Sequence, residues 1–131
     1  MLRIPSLLDD ETEAMASRTI GCCIAVHREL GPRLLEKVYV KAVRIELDTE
    51  GIPCELERSF PVYYRGQLLC LQRVDVIVNR RILLEVKAVD RLAPVHHAQV
   101  LSYLRLTNLR LGLLVNFNVS LLPQGIRRVV L

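Results

Sequence analysis

The stretch Arg73-Val74-Asp75-Val76-Ile77-Val78-Asn79-Arg80-Arg81-Ile82-Leu83-Leu84-Glu85-Val86-Lys87 decides how this chain of 131 residues is read. Two apolar runs flank a polar Asn-Arg-Arg, which predicts a β-hairpin. Side chains alternate across a strand, so Leu83, Glu85 and Lys87 share one face and Ile82, Leu84 and Val86 the other. On the preceding strand Arg73, Asp75 and Ile77 share a face, opposite Val74, Val76 and Val78. Asp75 and Glu85 stand opposite each other only if the turn centres on Arg80, through the odd connection Asn79-Arg80-Arg81. A two-residue turn on Asn79-Arg80 would set Asp75 against Leu84 and throw the acids onto opposite faces.

Both faces of these strands are mostly apolar, which predicts a sheet covered on both sides. Ionised groups are expensive to bury without partners. In the plain reading the acids and Lys87 lie on the solvent side of an edge hairpin, in surface pairs worth about 0 to 1 kcal/mol. In the other, a divalent metal sits between the two acids with the lysine beside it, an arrangement suited to hydrolysing phosphodiesters.

Working outward, Glu36 lies on the stripe of Tyr39, Val40, Val43 and Leu47, which recur at i, i+3, i+4 and i+7 on a helix. An acid at the head of an apolar stripe serves the helix dipole, aims at something cationic, or does both. Gln99 and Tyr103 are four apart and share a face of a later helix. His96 and His97 are adjacent and so point in different directions, which argues against a two-histidine metal clamp. His27 and His97 read as satisfied structural groups.

The chain predicts a leader over residues 1–8 and one domain over 9–131. Helices are expected over 9–30, stopped by Gly31-Pro32, over 34–48, and over 94–107 with Pro94 in the first turn. Strands are expected over 53–64, 67–78, 82–88, 111–117 and 126–130, with Arg65-Gly66 joining the first two. Ile20, Cys23, Ile24 and His27 recur at helical spacing and predict the buried face of the first helix.

An apolar fraction of 51% and a charged fraction of 24% describe a folded domain with its own core. The net charge of +4 is compatible with a nucleic-acid partner without demanding one. Cys22, Cys23, Cys54 and Cys70 have no C-x-x-C spacing, and their apolar neighbours predict buried free thiols in a reducing compartment. No signal peptide and no membrane-spanning run is read, so a cytoplasmic location is expected.

Glu36, Asp75, Glu85-x-Lys87 and Gln99-x-x-x-Tyr103, in that order, resemble the PD-(D/E)XK nuclease superfamily. More narrowly, the chain is similar to the GxxExxY protein family. The blocks are His27-Arg28-Glu29-Leu30-Gly31-Pro32, Leu34-Leu35-Glu36-Lys37-Val38-Tyr39, Pro61-Val62-Tyr63-Tyr64, Asp75, Glu85-Val86-Lys87-Ala88-Val89, Gln99-Val100-Leu101-Ser102-Tyr103-Leu104 and Leu111-Gly112-Leu113-Leu114-Val115-Asn116-Phe117. The glycine that gives the family its name is replaced by Arg33, which changes sterics and charge where the chain enters the helix. The superfamily's proline before the aspartate is replaced by Val74.

The resemblance implies an α/β (α+β) domain with a restriction-endonuclease-like core, a mixed sheet flanked by helices. It implies that Asp75, Glu85 and the Val86 carbonyl hold Mg²⁺ or Mn²⁺, with Glu36 completing the shell directly or through water. Lys87 would orient or deprotonate the attacking water, and Gln99 and Tyr103 would steady the site or touch substrate. The leading reading is a metal-dependent nuclease acting on DNA or RNA. The alternatives are a non-catalytic nucleic-acid-binding protein that keeps the fold, and an assembly protein whose apolar C-terminal strand pairs with another copy.

Overall fold

A computed structural model describes residues 8–131. Most of the expected leader, residues 1–7, lies outside the described residues, while Leu8 packs into the core. Three helices, α1 (Asp10–Leu30), α2 (Glu36–Thr49) and α3 (Pro94–Thr107), accompany seven strands. The strands are β1 (Cys54–Leu56), β2 (Ser59–Tyr64), β3 (Gln67–Arg73), β4 (Val76–Val78), β5 (Ile82–Lys87), β6 (Leu111–Asn116) and β7 (Ile126–Val130). A short 3-10 turn, Leu122–Gly125, leads into β7.

Five strands form a sheet in the order β1-β4-β5-β6-β7, and β2 and β3 form a separate two-stranded ribbon. Only β5 and β6 run parallel, as expected for strands joined through a helical crossover, here α3. The sheet is covered on both faces. Val76, Val78, Ile82, Leu84, Val86, Leu113 and Val115 pack under α1 and α2 around Cys23, Tyr39, Val43 and Leu47. Ile77, Leu83 and Leu114 pack on the other side against Val100, Tyr103 and Leu104 of α3.

Local chemistry places the elements. Asp9 caps α1, its Oδ1 accepting from Thr12 N at 2.6 Å. Arg81, in the β4–β5 turn, reaches Glu11 at 2.6 Å and Asp9 at 3.6 Å, tying the start of α1 to the hairpin. Gly112 lies beneath α3, where a Cβ would come within 2.5 Å of Val100 Cγ1. Glycine there lets helix and strand approach closely.

The expected strands over 53–64 and 67–78 are each broken in two. The breaks fall at 57–58 and 74–75, where the chain passes between sheet and ribbon. Glu57 takes a positive φ of 51°, and its N–H donates to the Asp75 carbonyl at 2.9 Å. Alternation fails at the same place: Val74 packs on the α3 side with Ile77 instead of sharing a face with Val76 and Val78. The bend turns Val74 and Gln72 toward α3.

The cysteines are all free, but only Cys22 and Cys23 are buried; Cys54 is half-buried and Cys70 is exposed. The expectation of four buried thiols fails at Cys70 because, of the ribbon's two strands, β2 is the one packed against α3, which leaves β3 as the outer strand. Among the described residues, no helix is long and apolar enough to cross a membrane.

Candidate active site

Val78 pairs with Ile82, Ile77 with Leu83 and Val76 with Leu84. The connection is therefore Asn79-Arg80-Arg81, and the register carried one step further sets Asp75 against Glu85. Arg81 N donates back to Val78 O at 3.0 Å, closing a tight turn with Asn79 and Arg80 both at positive φ. Arg81 is the extra residue that keeps the loop odd. Both acids consequently lie on the α3 side of the sheet, beyond the apolar pair Ile77 and Leu83.

Asp75 occupies the strand break just before β4, and its Oδ2 accepts a hydrogen bond from Val86 N at 2.9 Å. Since β4 begins only at Val76, this edge of β5 is open beside Glu85 and Val86. A strand residue's N–H and C=O point to the same side, so the Val86 carbonyl also faces the Asp75 side. Lys87 shows the alternate direction, its carbonyl accepting from Phe117 N at 2.9 Å on the β6 side.

Glu85 is only 4% exposed. Its carboxyl is pushed up to about 9 from an ordinary 4.5, first by burial, then by a hydrogen bond to Asp75 and the negative charge there. Lys87 pulls it down and Glu36 pushes it further up. Two carboxyl groups this close cannot both ionise cheaply. The pair either retains a proton on the more buried member, Glu85, or meets a cation.

Glu36 enters from the first turn of α2, where its Oε1 accepts from Ala88 N at 3.4 Å, just past Lys87. Its side chain is exposed, yet its charge is felt at Glu85. Among the described residues, no three His, Cys, Asp and Glu side chains gather as a ready-made ion cage. Tyr39, three residues on, is fully buried, stacks on Phe117 with ring centres 4.4 Å apart, and its hydroxyl donates to Gly31 O at 2.6 Å. It also accepts from Leu34 N at 3.1 Å, so it anchors the loop that carries Arg33. Arg33 itself sits at φ 76°, a left-handed conformation that disfavours any residue with a Cβ.

From α3, Gln99 Nε2 donates to the Tyr103 hydroxyl at 2.8 Å. Gln72 of β3 donates to the same oxygen at 3.1 Å. With both acceptor positions engaged, the phenolic O–H is left to donate elsewhere. The Tyr103 phenol is raised above its usual range by burial and then by the charge of Glu85, which places it beside the acid pair.

Sequence reading passed over two contributors. Gln72 was hidden because its strand belongs to a ribbon whose face toward α3 is set by pairing with Phe60. Asn116 is a buried amide ending an apolar strand, a signal that was legible. It accepts from Val89 N at 3.1 Å and donates to Val89 O at 2.9 Å, fixing the chain just after Lys87. The histidines stand outside this group. His27 donates through Nε2 to Val119 O at 2.8 Å, His96 Nδ1 accepts from Ala93 N at 2.9 Å as a helix cap, and His97 is exposed.

A mixed sheet that carries an aspartate at a strand break and Glu-x-Lys on its central strand, covered by helices on both faces, defines a PD-(D/E)XK-type core. The family model for the PD-(D/E)XK nuclease superfamily matches residues 13–129, and the chain belongs to that superfamily. No curated protein and no solved structure matches the chain.

Proposed function

We propose that residues 9–131 form a single catalytic unit, a metal-dependent nuclease that hydrolyses phosphodiester bonds of DNA or RNA. The observation that carries this reading is the buried Glu85 carboxyl hydrogen-bonded to the half-buried Asp75, with Lys87 two residues on in the same strand as Glu85. A buried acid whose ionisation is opposed by burial and by a neighbouring carboxylate is relieved by a cation, and oxygen donors suit Mg²⁺ or Mn²⁺. Asp75, Glu85 and the Val86 carbonyl would hold the ion, with Glu36 reaching it through water. A bound ion supplies Lewis-acid polarisation and a lowered pKa for water.

The protein's own groups do the rest. Lys87 offsets phosphate charge and holds the attacking water. Gln99 and Gln72 fix Tyr103, whose free O–H donates to a substrate oxygen. Within the superfamily, the order of motifs fits the GxxExxY group with Arg33 in the glycine position. The free thiols fit a reducing compartment such as the cytoplasm. A second reading, nucleic-acid binding without cleavage, is favoured by one observation: the Glu36 carboxylate accepts from the Ala88 backbone N–H and does not complete a three-acid cluster with Asp75 and Glu85.

The test is cleavage of single- and double-stranded DNA and RNA with Mg²⁺ or Mn²⁺. Wild type is expected to cut, and Asp75→Ala and Lys87→Ala to lose about 100-fold or more. Cleavage surviving both substitutions contradicts the assignment, and salt-sensitive binding without any cleavage moves it to the second reading.

A further inference from the structure

Strand β1 runs antiparallel to β4, β4 antiparallel to β5, and β5 parallel to β6. The last residues of β1, β5 and β6 and the first of β4 therefore gather at one end of the sheet, in the order β1-β4-β5-β6. Asp75 leads into β4 and Glu85 lies near the end of β5. The acid pair is thus flanked on one side by the end of β1 and on the other by the end of β6.

Each flank opens into a cleft. On the β1 side, Leu56 and Glu57 line one cleft together with Lys37, Lys41 and Arg44 of α2. The Glu57 N–H donates to the Asp75 carbonyl at 2.9 Å, so the wall of this cleft is continuous with the acid pair. On the β6 side, a smaller cleft of about 270 Å³ is bounded by Arg33, Asp90, Asn118 and Ser120. Asp90 lies three residues past Lys87, next to Val89, which Asn116 holds at 2.9 and 3.1 Å.

Both clefts present free cations. Arg44 is taken by Asp48 at 3.7 Å, and Glu57 by Arg73 at 3.4 Å. Among the described residues, Arg33, Lys37 and Lys41 form no ion pair. Asp90 shares the smaller cleft with Arg33, yet its carboxylate accepts from the Asn118 amide instead, at 3.5 Å. Tyr39 ties the loop on both sides of Arg33, through Gly31 and Leu34, so the guanidinium is presented from a fixed backbone. That backbone is left-handed, which costs a residue with a Cβ about 1 to 2 kcal/mol.

We propose that a nucleic-acid strand crosses this end of the sheet through both clefts, with Lys37 and Lys41 on phosphates to one side of the acids and Arg33 on a phosphate to the other. Lysine and arginine are the residues that neutralise phosphates, and Asn118 and Ser120 add donors for phosphate or sugar oxygens beside Arg33. Resting on the nuclease reading for its chemistry, this path makes the bond cut an internal one. An end-trimming site needs a wall beyond the terminal nucleotide; here a cleft with a free cation lies on each side.

Two measurements test the path. The first is binding of single- and double-stranded DNA and RNA in chelator, where nothing is cut, over a range of salt. Arg33→Gly and Lys41→Ala should each weaken binding about three- to tenfold and lower the slope of log affinity against log salt by about 1, the double variant by about 2. Arg33→Gly should melt no lower than wild type, because glycine accepts the left-handed backbone, so weaker binding is not misfolding. An unchanged slope in either variant overturns the two-sided path. The second measurement takes the nucleic acid that is cut best in linear form and offers it with Mn²⁺ as a covalently closed circle. The circle should be opened as readily as the linear chain. A circle left intact while linear chains shorten from their ends overturns the proposal. No cutting of any form, with binding still dependent on both Arg33 and Lys41, removes the nuclease reading and leaves the path standing.

Discussion

Glu85 is the residue on which the site turns. Its buried carboxyl keeps a proton at a pH where the same group in an unfolded chain has lost it. Below its ordinary 4.5 both states hold the proton; between there and about 9 only the folded state does. Folding stability of the metal-free chain must therefore fall as pH rises through that window. Relative to Glu85→Gln, whose amide does not titrate, wild type should lose up to about 1.4 kcal/mol per pH unit, the slope of one proton. Urea unfolding of both chains in chelator at pH 5 and pH 8 checks this, and parallel pH profiles contradict it. The sequence showed that the acid belonged on a buried strand. It could not show which of the two acids holds the proton, because that depends on Asp75 lying at a chain bend that alternation did not predict.

At the scale of elements, the strands of the main sheet were legible because β4 and β5 alternate cleanly and their turn admits only one parity that keeps both acids on one face. The ribbon was not legible. Residues 53–64 and 67–78 each read as one strand, and the two passages between sheet and ribbon are marked only by Glu57-Arg58 and by Asp75, without glycine or proline. The fit of α3 to the sheet likewise rests on a single position. Val100 is β-branched and stiff in a helix, so it cannot easily give way to a methyl group on Gly112, 2.5 Å distant. Gly112→Ala should cost about 1 to 3 kcal/mol through overpacking. An unchanged denaturation midpoint would show that helix and strand are not in this close contact.

For the whole molecule, the excess of cations becomes informative only once it is mapped. A cleft of about 730 Å³ along α2 is lined by Lys37, Lys41 and Arg44 together with Asp48 and Glu57. Arg44 is already paired with Asp48 at 3.7 Å. Lys37 and Lys41 stand one helical turn apart, beginning next to Glu36, as a backbone-contacting pair would. Lys41→Ala should weaken nucleic-acid binding across sequences and reduce the slope of log affinity against log salt by about 1. An unaltered slope would remove α2 from the substrate path. Net charge alone carried none of this, because charge along the sequence does not say which cations share a face or are already paired.

The proposed nuclease rests on Asp75 and Glu85 being a cation site held open by a proton. Calorimetric titration of the chain with Mn²⁺ at several pH values tests it most directly. One ion should bind per chain, releasing a proton and tightening as pH rises, with binding lost in Asp75→Ala and Glu85→Ala. Absence of binding at any pH, or binding that survives both substitutions, would contradict the account.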